Sequence, residues 1–247
     1  IAFAHQHAPD ARAGAWTGWA AGAGYFALLL HWIVEPFFVD AARHGWMAPF
    51  AIVLMAGGLA LFWALAGGLP ARIAPGPRRA VAFALALGAV EVARAHVFTG
   101  FPWGLIAGLW LDTPAAQLLA WTGPHGLALL TLLPLALGAA WLRPAPGRAA
   151  LALALGPALL LGAGLLRAPV IPADQPTPMV RLVQPNAPQH LKWDPDWVGT
   201  FYARKLALTA APGAPALVLW PETTLAGTLE SSEAQRVEVA GAARGVP

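Results

Sequence analysis

Glu222 stands directly after Trp220-Pro221, at the carboxyl end of the apolar run Ala216-Leu217-Val218-Leu219-Trp220. A carboxylate just past a buried strand sits where loss of water can lift its pKa toward the range of a general base. Pro221 fixes the backbone ahead of it. A solvated turn glutamate is the plainer alternative, and position alone leaves both readings open. The loop Gln184 to Asp194 carries Pro185, Pro188, Lys192 and Trp193. Either Lys192 and Trp193 line a substrate cleft, or this is a surface loop whose indole packs on its own domain. Trp103 ends the turn Gly100-Phe101-Pro102-Trp103. Tryptophan anchors proteins at membrane interfaces, a role open also to Trp16, Trp19, Trp32, Trp46 and Trp121. The functional alternative is a re-entrant turn at the mouth of a lipid-accessible site. Glu91 and Arg94 share a helix face at i and i+3 and can pair. A proton relay would need more ionisable groups than this pair with His31, His96 and His125, so a structural ion pair is the preferred reading. His5-Gln6-His7 has no carboxylate or thiol cluster near it in sequence and reads as loop, not as a metal site.

These residues need elements to hold them, and composition says which kind. Hydrophobic types make up 58 % of the 247 residues, charged residues 11 %, and Cys is absent. Mean hydropathy is +0.59. Soluble domains carry about 25 % charged residues. Disorder is excluded over most of the length. So are a disulfide scaffold, a thiolate metal site and a Cys nucleophile within these residues. The net charge of +3 comes from 15 scattered basic residues with no basic run. Nucleic acid is therefore not expected as a partner; membrane lipid is.

Apolar runs near 14–34, 46–69, 80–98, 125–142 and 149–166 each approach the roughly 20 residues that cross a hydrocarbon layer. Runs 46–69 and 149–166 carry no charge on any face, which no water-exposed helix tolerates. Five spans over 1–168 are expected. Arg12, then Arg72, Arg78 and Arg79, then Arg143 and Arg148 fall in alternate loops. The intervening loops carry Arg43 alone among arginines, so the arginine-rich side should be cytoplasmic. The chain beyond the fifth span should then lie outside.

A proline-rich linker is expected at 169–177 and a water-soluble segment at 178–247. Within it, Val180 to Gln184 reads as a strand and Trp197 to Ala211 as a helix, which Pro212-Gly213-Ala214-Pro215 breaks. Ala216 to Trp220 reads as a strand buried on both faces. Strand, helix, strand suggests an α/β layer, whose ligand chemistry gathers at the carboxyl ends of strands. The segment is short against a usual domain of about 100–150 residues. The chain starts at Ile1 and stops soon after the polar stretch Ser231 to Arg244. The expectation is a fragment lacking both ends: a polytopic α-helical membrane domain, then the first part of an α/β domain.

In combination the motifs are more specific. Gly24-Tyr25-Phe26 with His31-Trp32, Glu91-x-x-Arg94, Thr99 to Trp103, Gln184-Pro185, Leu191 to Asp194 and Leu219 to Glu222 occur in that order. The chain thereby resembles the apolipoprotein N-acyltransferases of bacterial inner membranes. The resemblance implies a multi-pass protein with a periplasmic, nitrilase-like αββα domain. It implies transfer of an acyl chain from a phospholipid, through a Cys thioester, to the free amine of a diacylglyceryl-cysteine lipoprotein. Glu222 matches the Glu of a Glu-Lys-Cys triad, the general base. Trp193 and Trp103 match functional tryptophans that would guide acyl chains or lipid. No cofactor or metal is implied. The triad Lys and Cys lie later in the family than Glu222, so Lys192 and Lys205 are not the triad Lys. These 247 residues alone are expected to be inactive. Two rival readings are a non-enzymatic transporter or assembly factor and a nitrilase-like partner in polyprenol-phosphate mannosyl transfer.

Overall fold

A long helical stretch without charge has no surface suited to water, and the fold includes such stretches at 48–68, 119–141 and 149–166. The computed structural model describes residues 1–167, 177–222, 225, 227, 228 and 230–244. The expected linker at 169–177 lies outside these residues apart from Thr177. Two compact units emerge: Ile1–Phe37 with His44–Val170, and Phe38–Arg43 with Ile171–Pro247.

The first unit is helical. Its α-helices are α1 (Ala2–Gln6), α2 (Ala11–Leu29), α4 (Ala48–Gly68), α5 (Pro77–His96), α6 (Leu119–Trp141) and α7 (Pro146–Arg167). A single turn, α3 (Ala41–His44), precedes α4 in the chain and has all but its last residue in the segment grouped with the second unit. Asp10 caps α2, its Oδ1 accepting from the Ala13 N–H at 2.8 Å. That bond satisfies one of the donors a helix start leaves open.

Three segments are long and apolar enough to cross a membrane: Ala41–Arg72, Pro114–Trp141 and Pro146–Arg167. Ala11–Leu29 and His31–Phe38, bent by 48°, make a fourth if counted as one span. The five spans expected from the sequence are thus three to four by this measure. The helix expected at 80–98 forms as α5, but Arg78, Arg79, Glu91 and Arg94 interrupt its apolar run. Outward leucines fit hydrocarbon surroundings: Leu54 on α4 is 72 % exposed and Leu159 on α7 is 60 % exposed.

Close packing holds the unit together. Gly14, Gly18 and Gly22 recur every four residues along α2 and are buried against α4. A Cβ on Gly14 would lie 2.5 Å from the Gly67 carbonyl oxygen, and one on Gly18 would strike the backbone of Trp63. Small residues at this spacing let two helix backbones touch, which gives association in lipid without a hydrophobic drive. Phe26, Trp63, Phe83 and Leu87 fill the core beside that contact.

The second unit holds the two described strands, β1 (Val180–Leu182) and β2 (Leu217–Leu219), paired in parallel with Val180 opposite Leu217. Between them runs α8 (Pro195–Thr209), and α9 (Glu233–Ala243) comes after β2. Pro195 opens α8, and Asp194 caps it by accepting from the Asp196 N–H at 2.8 Å. Arg181 on β1 donates to the Thr209 and Pro212 carbonyls at 2.6 and 2.8 Å, tying the strand to the end of α8. The sequence expectation that β2 is buried on both faces is corrected: Leu219 is 45 % exposed. Two paired strands give each other hydrogen bonds but cover little of one another's faces.

Candidate functional site

In the second unit, the chain leaving β2 and the loop entering α8 form the walls of a cleft of about 430 Å³. Glu222 comes from the first and Lys192 and Trp193 from the second, although 29 positions separate Trp193 from Glu222. Parallel pairing of β1 and β2 explains the meeting. Both strands point the same way, so the loops after them emerge at one end of the ladder.

Glu222 is exposed, not desolvated. The burial expected behind a strand is therefore not found at this position, since the strand ahead of it is itself half open. Trp193 is 44 % exposed, and the Lys192 ammonium lies 5.3 Å from its ring centroid. Nearly half of the indole is thus open, with a cation over its ring.

Two cleft residues escape the sequence reading. Tyr202 and Lys205 lie at i and i+3 on α8, and both line the cleft. Lys205 is 5 % exposed, its ammonium 5.2 Å from the Trp220 ring centroid and 5.8 Å from that of Tyr202. Burial pushes its pKa below the ordinary 10.5, and the nearby Lys192 charge adds to the shift. The Trp220 indole is fixed by donating to Thr209 Oγ1 at 2.9 Å. The Tyr202 hydroxyl donates to Glu238 Oε2 at 2.8 Å. Desolvation first, then Glu238, pushes its pKa up to about 12. The readable signal is the i, i+3 spacing of a Tyr and a Lys on an otherwise apolar helix face.

The first unit holds the other candidate residues. Trp103 is 59 % exposed on the wall of an apolar groove of about 580 Å³. Leu29, Trp32, Leu105 and Leu109 also line it. The Trp32 and Trp103 ring centroids are 5.6 Å apart. Gly100 and Gly104 bracket the turn at φ +77° and +71°, a region that favours glycine. Glu91 and Arg94 lie behind it, both 1 % exposed, and pair at 2.7 Å. The structure thus gathers Glu222 with Trp193 in one unit, and Trp103 with the Glu91–Arg94 pair in the other. Among the described residues no three His, Asp or Glu side chains gather to hold a metal ion.

Sequence comparison bears on both units. Residues 1–137 match the family model of the apolipoprotein N-acyltransferase N-terminal domain. An apolipoprotein N-acyltransferase of Caulobacter vibrioides is 44 % identical over 218 residues, covering 85 % of this chain and 41 % of the relative. One from Brucella melitensis is 34 % identical over 228 residues, covering 87 % of this chain and 43 % of the relative. One from Sinorhizobium fredii is 35 % identical over 221 residues, with 84 % and 41 % covered. The chain spans about two fifths of the length of these relatives. With a matching helical unit and similarity running into the cleft-bearing unit, the chain belongs to the apolipoprotein N-acyltransferase family.

Proposed function

We propose that this chain supplies the membrane unit and the general base of an enzyme that N-acylates lipoproteins. The observation that carries the reading is the shared cleft of Glu222 and Trp193 at the end of the β1–β2 ladder. Family membership supports the reaction type.

In this reading β1, α8 and β2 open a nitrilase-like αββα domain. The Glu222 carboxylate takes the proton of a cysteine thiol. The thiolate attacks an ester carbonyl of a phospholipid, and a lysine ammonium holds the tetrahedral oxyanion. Collapse releases the lysophospholipid, whose oxygen recovers the proton from Glu222. The α-amine of a diacylglyceryl-cysteine then attacks the thioester. Its proton passes to Glu222 and the thiolate leaves. These 247 residues hold no Cys, so the thiol of this scheme lies outside them.

Membrane attachment suits the substrates. Moving an acyl chain into water costs about 0.8 kcal/mol per CH₂, so both lipids are best met where they lie. Trp103, beside its apolar groove, and Trp193, in the cleft, guide the chains. In this reading α2 and α5 cross the membrane beside the three clearer spans, making five crossings, and arginine-rich loops on the cytoplasmic side then put Glu222 on the periplasmic side of the bacterial inner membrane.

The test is acyl transfer from phospholipid vesicles to the amine of a diacylated lipopeptide. The full-length protein transfers, and residues 1–247 alone do not. Transfer by the 247-residue chain, or none by the full-length protein, contradicts the reading.

A further inference from the structure

Every nitrogen of the Arg94 guanidinium is engaged. Nε and Nη2 donate to the two Glu91 oxygens at 3.1 and 2.7 Å. Nη1 donates to the Phe101 carbonyl and, at 2.9 Å, to the Trp103 carbonyl. Glu91 Oε1 also accepts from the Trp63 indole N–H at 2.8 Å. Phe26 lies beside the guanidinium, 5.0 Å from its ring centroid. Tyr25 stacks on Trp63 and donates from its hydroxyl to the Gly104 carbonyl at 3.1 Å. Side chains of α2, α4 and α5 thus meet behind one turn, and three of that turn's carbonyls are held.

Stability alone does not account for this arrangement. A buried ion pair is often replaceable by apolar side chains without loss of stability. Ionisable groups at membrane depth are costly and mark function. Here the pair interrupts an apolar helix, and half of the arginine's fork is spent on backbone carbonyls flanking an exposed indole. Only a planar, forked donor meets a carboxylate and two carbonyls at once.

We propose that Arg94, braced by Glu91 and Trp63, is a positioning residue. It holds the Phe101–Trp103 turn so that the Trp103 indole stands as a fixed wall of the apolar groove, against the acyl chain of the phospholipid donor. The inference rests on the reading of Trp103 as a lipid contact.

The experiment uses the full-length protein labelled with fluorotryptophan, with the Trp103 resonance assigned by Trp103→Phe. Arg94→Met shifts and broadens that fluorine resonance and raises the phospholipid KM on the order of tenfold, with a smaller change in kcat. Arg94→Lys keeps the charge against Glu91 but not the fork. It shifts the resonance too, and it serves where Arg94→Met does not fold. A folded Arg94→Lys or Arg94→Met protein with an unmoved Trp103 resonance, or with an unchanged phospholipid KM, overturns the proposal. The resonance reads positioning independently of catalysis. A failure of the underlying reading is recognised separately, by an inactive wild type or by a Trp103→Ala enzyme with wild-type KM.

Discussion

Glu91 and Glu222 are the same side chain in opposite settings. Glu91 lies inside the helical unit, 1 % exposed, with both oxygens committed to Arg94 and one also to Trp63. Glu222 stands exposed at the rim of a cleft, one residue beyond a proline and three beyond a short strand. A carboxylate with both oxygens held by a guanidinium is occupied in holding that group in place. One that faces a cleft is open to whatever enters it. In the function proposed above, depth and partners together divide the carboxylate that supports the fold from the one that does chemistry.

Glutamine at position 222 and alanine at position 91 should separate the two. In the full-length protein, Glu222→Gln lowers kcat/KM for acyl transfer by about 10²–10⁴-fold, the usual worth of a general base. Its unfolding temperature stays near wild type, since exposed substitutions typically shift stability within about 0.5 kcal/mol. A large stability loss there would erase the contrast. Glu91→Ala acts first on stability. It strands a buried guanidinium, at a cost of about 3–5 kcal/mol, read as a lower unfolding temperature in detergent.

The contact between α2 and α4 gives a smaller, sharper test. Gly18→Ala drives a methyl into the Trp63 backbone, so α2 must move from α4. Overpacking of this kind costs about 1–3 kcal/mol. Gly24→Ala, where a Cβ meets nothing within 4 Å, should leave the unfolding temperature unchanged. Equal losses at the two glycines would deny the close packing its role.

The smallest effect is a pH slope in the cleft. The pKa of Lys205 is lowered by burial on folding. The unfolded chain therefore binds more protons between the lowered folded value and the ordinary 10.5. Stability gained from this group rises as pH climbs through that window and is absent below it. For Tyr202 the sign is opposite. Its folded value of about 12 exceeds the ordinary 10, so between those values folding binds the extra proton and stability falls as pH rises. Amide exchange along α8 should show a steeper alkaline loss in Lys205→Met and a shallower one in Tyr202→Phe. Unchanged slopes in both would remove the desolvation argument.

Legibility in the sequence tracks the range of each interaction. The uncharged runs that become α4 and α7 announce themselves, because a helix needs no distant partner to reveal an apolar surface. The i, i+3 spacing puts Glu91 within reach of Arg94, yet nothing in it points to Trp63, 28 residues away on another helix. The four-residue glycine repeat in α2 is visible in the chain, but only the structure supplies Gly67 and Trp63 as what it touches. The helix at Pro77–His96 is marked by its apolar run, while its four charges take it below the apolarity of a clear span. Burial of β2 is overestimated from sequence because an apolar strand shows what could cover it, not how much does. Lys205 and Tyr202 do not stand out in the sequence because the cleft they line exists only once β1 and β2 pair.

If Glu222 activates a thiol toward a phospholipid ester, the acyl-enzyme itself is the place to look. Full-length protein is incubated with phospholipid and no acceptor, and acyl-cysteine thioester is quantified by intact-mass spectrometry. An acyl adduct sensitive to hydroxylamine is expected on the wild type, and almost none on Glu222→Gln over the same interval. A Glu222→Gln protein that acylates at the wild-type rate would take the role of base away from Glu222.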